Sequence, residues 1–175
     1  MIGYVCKYTP VEVFEAMGVE IGRIQPEVTN FNQADTLMHP NICSFTKSVL
    51  EDVLAGDYEG VVLTTCCDSI RRLYDVLKQQ CPDKFLYLLD VPRKVNDFST
   101  EMYRKNMLDM VHAYEAFSGK TFDEAQLKQL LERREAGQNL RTAPKNKASV
   151  HIGLMGARCS KGIIDLLENR SVDIL

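Results

Sequence analysis

An open parallel α/β sheet flanked by helices is the fold class this sequence predicts, and three observations carry it. Short apolar runs alternate with longer stretches of helical periodicity, the rhythm of βαβ units. Two of the runs, Gly60-Val61-Val62-Leu63-Thr64 and Phe85-Leu86-Tyr87-Leu88-Leu89, are continuously apolar, as strands covered on both faces must be. Glycines and capping residues stand where helices should stop and start.

The first strand is expected over residues 2–6. Thr9-Pro10-Val11-Glu12 then offers a cap, a proline for the first turn and a capping-box glutamate, so a helix should run through Phe14 and Met17 and end at Gly18. A second strand follows over residues 21–24. Residues 25–38 are polar and aperiodic, which at that length predicts a functional loop. A helix is predicted over 42–54, with Phe45, Val49, Leu50, Val53 and Leu54 on its apolar face and Gly56 after it. The strand over 60–64 runs into Thr65-Cys66-Cys67-Asp68-Ser69 and then a helix with Ile70, Leu73, Tyr74 and Leu77 on its buried stripe.

The strand over 85–89 ends in Asp90-Val91-Pro92-Arg93. Two consecutive helices are then expected, 99–118 closed by Gly119, and 122–136 opened by a capping box in Thr121-Phe122-Asp123-Glu124. Met102, Tyr103, Met107, Met110, Tyr114 and Phe117 recur at helical spacing, a pattern that predicts core. Residues 141–149 shift to a polar, proline-containing composition and are expected to be a linker. Residues 1–143 are therefore read as an N-terminal α/β domain, Rossmann-like or flavodoxin-like, with a helical extension. Residues 144–175 are read as the linker and the truncated start of a second α/β domain: strand 150–155, helix 160–168, strand 172–175.

With 175 residues, 45% of them hydrophobic, the chain can build a real core, so disorder is not expected. A net charge of -3, with both signs interspersed, argues against nucleic-acid or anionic-membrane partners. Neither a signal peptide nor a membrane-length apolar run is visible, so a soluble, cytoplasmic protein is expected. In that setting six cysteines read as thiols or metal ligands rather than a disulfide framework.

Ligands of open parallel sheets bind beyond the carboxyl ends of the strands. Cys66 and Cys67 fall at such an end and lead into a helix N-terminus, which favours thiolate. Cys43 is expected in the first turn of another helix. An isolated intracellular cysteine is most often a small buried hydrophobe, and adjacent cysteines are a weak motif. Spacing alone does not give an iron–sulfur site, since CxxC and ferredoxin runs are absent.

His39, His112 and His151 lack metal-ligand spacing and read as structural or exposed. Gly153-Leu154-Met155-Gly156 lacks the third glycine of a dinucleotide loop and reads as tight strand-to-helix packing. Arg71, Arg72 and Arg93 are solvated charges or phosphate contacts.

Several segments, in order, resemble the 2-hydroxyacyl-CoA dehydratase and benzoyl-CoA reductase family. The opening Ile2-Gly3-Tyr4-Val5-Cys6-Lys7-Tyr8-Thr9-Pro10-Val11-Glu12 is similar to the family's start. His39-Pro40-Asn41-Ile42-Cys43-Ser44-Phe45 resembles its first cluster-ligand segment, and Thr64-Thr65-Cys66-Cys67-Asp68-Ser69 its second, in which the ligand precedes an aspartate. Leu89-Asp90-Val91-Pro92-Arg93-Lys94, Tyr103 and Asn139-Leu140-Arg141 match as well.

The resemblance implies a lyase subunit that binds an iron–sulfur cluster, 4Fe-4S or double cubane, through Cys43 and Cys67, with Cys66 the alternative to Cys67. It assigns no catalytic residue. It implies an ATP-hydrolysing activator that delivers one electron, a second dehydratase subunit, an oligomeric assembly and an acyl-CoA substrate that loses water through a ketyl radical. Ser44 and Ser69 become candidate hydrogen-bond partners for cluster sulfur or substrate. A third protein ligand is implied further along the second domain than this chain reaches; Cys159 is not assigned that role, and the chain is expected to hold a cluster weakly or not at all. The alternatives are a related ATP-dependent reductase, of benzoyl-CoA or at a double cubane, and a noncatalytic binding or maturation module.

Overall fold

The computed structural model describes residues 1–27, 30–137, 150–153, 161–170 and 172–174. Contacts divide the chain into Met1–Leu131 and Glu132–Leu175. The linker expected over 141–149, the Asn139-Leu140-Arg141 segment, Gly156 and Cys159 lie outside the described residues.

The first unit is built on four parallel strands, β1 (Ile2–Tyr4), β2 (Ile21–Arg23), β3 (Gly60–Thr64) and β4 (Phe85–Leu89), in the order β2-β1-β3-β4. β1 pairs Ile2 with Ile21 on one side and with Gly60 on the other, and β3 pairs Gly60 with Phe85. Successive residues of β3 point to opposite faces. Val61 and Leu63 join a core under α3 (Ser44–Ala55) and α4 (Asp68–Gln80), together with Val49, Leu50, Val53, Ile70, Leu73 and Leu77. Val62 faces the other way, into a core with Phe14 of α1 (Val11–Ala16) and with Met110 and Tyr114 of α5 (Asp97–Ser118). Both faces of the sheet are thus covered, as the apolar runs predict. On the α5 side the Tyr114 ring meets Phe85 edge-on at 4.9 Å and Phe14 at 5.2 Å, favourable aromatic geometry.

Several local expectations are corrected. α1 has Pro10 at its N-cap, so Thr9 lies one position too early and Glu12 one turn position too early for the expected capping box; the Thr9 hydroxyl is buried without a partner. Residues 25–38 are not wholly irregular, because α2 (Asn32–Leu37) forms there. Its cause is tertiary rather than intrinsic: buried Glu51 of α3 accepts the N–H groups of Gln33 and Ala34 at 2.7 and 2.8 Å on one oxygen. Lys47 adds an ion pair to Asp35 at 2.6 Å.

α3 starts at Ser44 rather than Ile42, with Cys43 as its N-cap instead of in its first turn. α5 starts at Asp97, where Asn96 and Ser99 form a reciprocal capping box. α6 (Glu124–Gly137) has Glu124 as its first residue, out of range for a box with Thr121; Asp123 accepts the Ala125 N–H at 2.8 Å instead.

The Met and aromatic stripe is buried only at Met110 and Tyr114 and is exposed at both ends. Met110 and Tyr114 are buried, but Met102 is 40% and Phe117 44% exposed. Gly18 and Gly119, at φ 64° and 71°, take the left-handed conformation that ends α1 and α5. The second unit contains β5 (Val150–Ile152), α7 (Lys161–Glu168) and β6 (Val172–Ile174), with β5 and β6 parallel and Val150 opposite Val172. Among the described residues no helix is long and apolar enough to cross a membrane.

Candidate functional site

The strand order reverses direction at β1: the chain passes from β1 to β2 on one side and later returns to place β3 on the other. The carboxyl ends of β1 and β3 therefore flank a topological switch point, where open α/β sheets bind ligands. Cys6 follows β1, and Thr65, Cys66 and Cys67 follow β3. Two residues beyond the Tyr4–Val62 pair, the register sets Cys6 level with Thr64.

Cys67 is the extended N-cap residue of α4, as Cys43 is of α3. Both thiols are exposed, as is Cys66, while Cys6 is half-buried and Cys81 is buried behind α4. An N-cap thiol faces the unpaired N–H groups of a helix start, which favour an anion.

The two segments meet. Burial alone would push the Cys43 thiol up, but hydrogen bonds from the Thr46 hydroxyl and N–H, the Ser69 hydroxyl and the Phe45 N–H outweigh it and hold Cys43 below the ordinary thiol range. The Cys43 sulfur is 3.1 Å from Thr46 Oγ1. Ser69 lies in the first turn of α4, so Cys43 touches the helix that Cys67 caps.

Cys66 behaves in the opposite way. Burial pushes its thiol up and the neighbouring Cys67 and Cys6 thiols add to the rise, while the Thr64 hydroxyl, buried and without a well-formed hydrogen bond, pulls the other way. Tyr103 stands close by: burial raises its phenol, and the charges of Cys6 and Glu12 raise it further. Its hydroxyl donates to the Tyr8 carbonyl at 2.9 Å, tying α5 to the loop after β1.

The turn after β3 is held from β4. Thr65 N–H donates to Leu89 O at 3.0 Å, the Thr65 hydroxyl donates to Asp90 Oδ1, and the Val91 N–H donates to Thr65 Oγ1 at 3.2 Å. Asn106 of α5 donates to the Asp90 carbonyl at 3.1 Å.

Among the described residues no three His, Cys, Asp or Glu side chains converge to hold a metal ion. Cys43, Cys66 and Cys67 are the exposed thiols among the described residues and could serve as sulfur donors. Arg71, Arg72 and Arg93 are exposed, and Arg72 is paired with Asp75 at 2.9 Å on its own helix. His112 is exposed, and His39 accepts the Asn41 N–H at 3.2 Å through Nδ1, a local turn role; the His151 side chain lies outside the described ones.

Ser44 is exposed, and its carbonyl accepts the Ser48 hydroxyl at 3.0 Å. Thr46 and the Thr65–Asp90 bond escaped the sequence reading. Thr46 was detectable, since a hydroxyl three residues after a cap can reach back to it. The Asp90 bond was not, because it depends on the β3–β4 register.

The family described as 2-hydroxyglutaryl-CoA dehydratase, D-component, matches residues 6–149. The (R)-phenyllactyl-CoA dehydratase beta subunit of Clostridium sporogenes is 27% identical over 139 residues, which cover 75% of this chain and 36% of that protein. The chain thus spans about a third of the length of the curated relative it matches.

Proposed function

Because this chain belongs to the 2-hydroxyglutaryl-CoA dehydratase, D-component family, we propose that it forms the cluster-binding edge of a 2-hydroxyacyl-CoA dehydratase subunit. Cys43 and Cys67 are its thiolate ligands, with Cys66 the alternative to Cys67. When bound, a 4Fe-4S cluster supplies one-electron reduction of a 2-hydroxyacyl thioester, whose ketyl radical then loses water.

The chain's own residues hold and polarise. Thr46 and Ser69 hold the Cys43 thiol below the ordinary thiol range, which favours the thiolate that ligation requires. Cys67 stands at the N-terminus of α4, the end of a helix that favours an anionic ligand. The half-buried Tyr103 packs against the core beneath α5, close enough to Cys6 for the charge of that group to raise its phenol. A second dehydratase subunit and an ATP-dependent activator are the proposed partners, consistent with the relative being a beta subunit.

The observation that carries this reading is that Cys43 and Cys67 are the N-cap residues of α3 and α4, two helices that share one core on the same face of the sheet, with both thiols exposed. Anaerobic incubation with iron and sulfide, followed by gel filtration and metal analysis, tests it. The chain should take up a labile iron–sulfur chromophore that Cys43→Ala and Cys67→Ala lose and Cys81→Ala keeps. Iron uptake indifferent to Cys43 and to both Cys66 and Cys67 overturns the ligand assignment. Loss on Cys66→Ala with retention on Cys67→Ala transfers the second ligand to Cys66.

A further inference from the structure

We propose that Asp90 is a positioning residue for the thiol-bearing turn after β3, acting through Thr65; the inference rests on the reading that this turn carries a functional thiol. Thr64 pairs with Leu89 in the β3–β4 register, so Thr65 and Asp90 stand level, one step beyond the last pair of the ladder. The next two residues are Cys66 and Cys67, and Cys67 already caps α4. The turn therefore has little chain length in which to absorb error, and whatever fixes Thr65 fixes both sulfurs.

Thr65 is only 8% exposed, and its hydroxyl is fully engaged, donating to Asp90 Oδ1 while accepting from the Val91 N–H at 3.2 Å. Asp90 itself is exposed, a setting in which an aspartate would ordinarily be free to swing into water. Its backbone is held from α5, where Asn106 donates to the Asp90 main-chain carbonyl at 3.1 Å, and its carboxylate is held by the Thr65 hydroxyl. The sequence Asn106, Asp90, Thr65 thus runs from the longest helix of the first unit to the base of the turn. Thiol ligands need placement to about 0.5 Å, which supporting hydrogen bonds supply.

The test reads thiol reactivity without a cluster. Anaerobic alkylation of the reduced chain by iodoacetamide, at one fixed pH, is followed by mass spectrometry on the tryptic peptide containing Cys43 and on the one containing both Cys66 and Cys67. Asp90→Ala and Thr65→Val should change the rate at the Cys66/Cys67 peptide by about threefold or more and leave Cys43 unchanged. Thr65→Ser and Asp90→Asn keep the hydroxyl and the acceptor oxygen and should restore the rate of the unsubstituted chain.

A parallel change at Cys43 means general loosening and overturns the proposal. So does an unchanged Cys66/Cys67 rate, or an Asp90→Asn protein that behaves like Asp90→Ala, which would make charge rather than the hydrogen bond the cause. Iron uptake is measured separately: altered alkylation in a chain that binds no iron removes the cluster reading and keeps the strap, whereas normal iron uptake with unaltered alkylation does the reverse.

Discussion

Cys43, the N-cap residue of α3, lies within reach of the Ser69 hydroxyl in the first turn of α4, so groups from both helix starts act on one thiol. Burial works against ionisation of Cys43, and the Thr46 and Ser69 hydroxyls with two backbone N–H groups overcome it. Thr46→Val should therefore slow alkylation of Cys43 at neutral pH, and Ser69→Ala should slow it less. The sign for stability follows from the lowered folded value: below the ordinary thiol range the native chain binds fewer protons than the unfolded one, so this contribution grows as pH rises and is lost as pH falls through the folded value. A urea series across that window, with Cys43→Ser as reference, measures it.

Glu51 caps α2 from a neighbouring helix, with the N–H groups of Gln33 and Ala34 on one carboxylate oxygen. Glu51→Ala should cost about 2–4 kcal/mol, because it leaves buried N–H groups unpaired as well as removing the bonds. Urea denaturation gives the loss. Amide exchange should accelerate first at Gln33 and Ala34.

A side chain at Gly60 would run into the backbone oxygen and the Cβ of Phe85 on the paired strand. Backbone cannot yield as a flexible side-chain tip can. Gly60→Ala should cost about 3 kcal/mol or more by forcing β3 and β4 apart, read as a lower thermal midpoint and loss of the Thr65–Asp90 constraint.

Burial first, and then the 3.0 Å hydrogen bond to Glu59 and that carboxylate's charge, together push the Tyr114 phenol up to about 12. A phenol with a raised folded value stabilises the native state fully below the unfolded value near 10 and loses that contribution as pH climbs from about 10 to about 12. Tyr114→Phe should cost about 1 kcal/mol at pH 7 and flatten the alkaline decline. Stability measured at intervals across the alkaline range checks both.

The sheet was legible in the sequence because its strands announce themselves: β3 and β4 match the apolar runs residue for residue. Helix starts were less legible. The Thr9 and Thr121 boxes failed because a capping box counts from the true N-cap, and Pro10 and Asp123 occupy that place. α2 was invisible because its stabilising carboxylate comes from another helix. At the site, the thiols and Ser69 could be read from motif and helix position. The electrostatic contrast between Cys43 and Cys66 could not, since it arises from which hydroxyls and thiols the register places beside each sulfur.

Strand order also dictates a sequence of events during folding. β3 and β4 join across a single helix, whereas β1 must find β3 across one strand and three helices of intervening chain, Ile2 pairing with Gly60. Local contacts form first and distant ones last, so the β3–α4–β4 unit should assemble early and β1 should dock late. Until it docks, Cys6, half-buried in the native chain, is unshielded near the exposed thiols of Cys66 and Cys67. Refolding yield in air should therefore fall below that in reductant even where the two native states are equally stable, and the shortfall should widen with any substitution that delays β1.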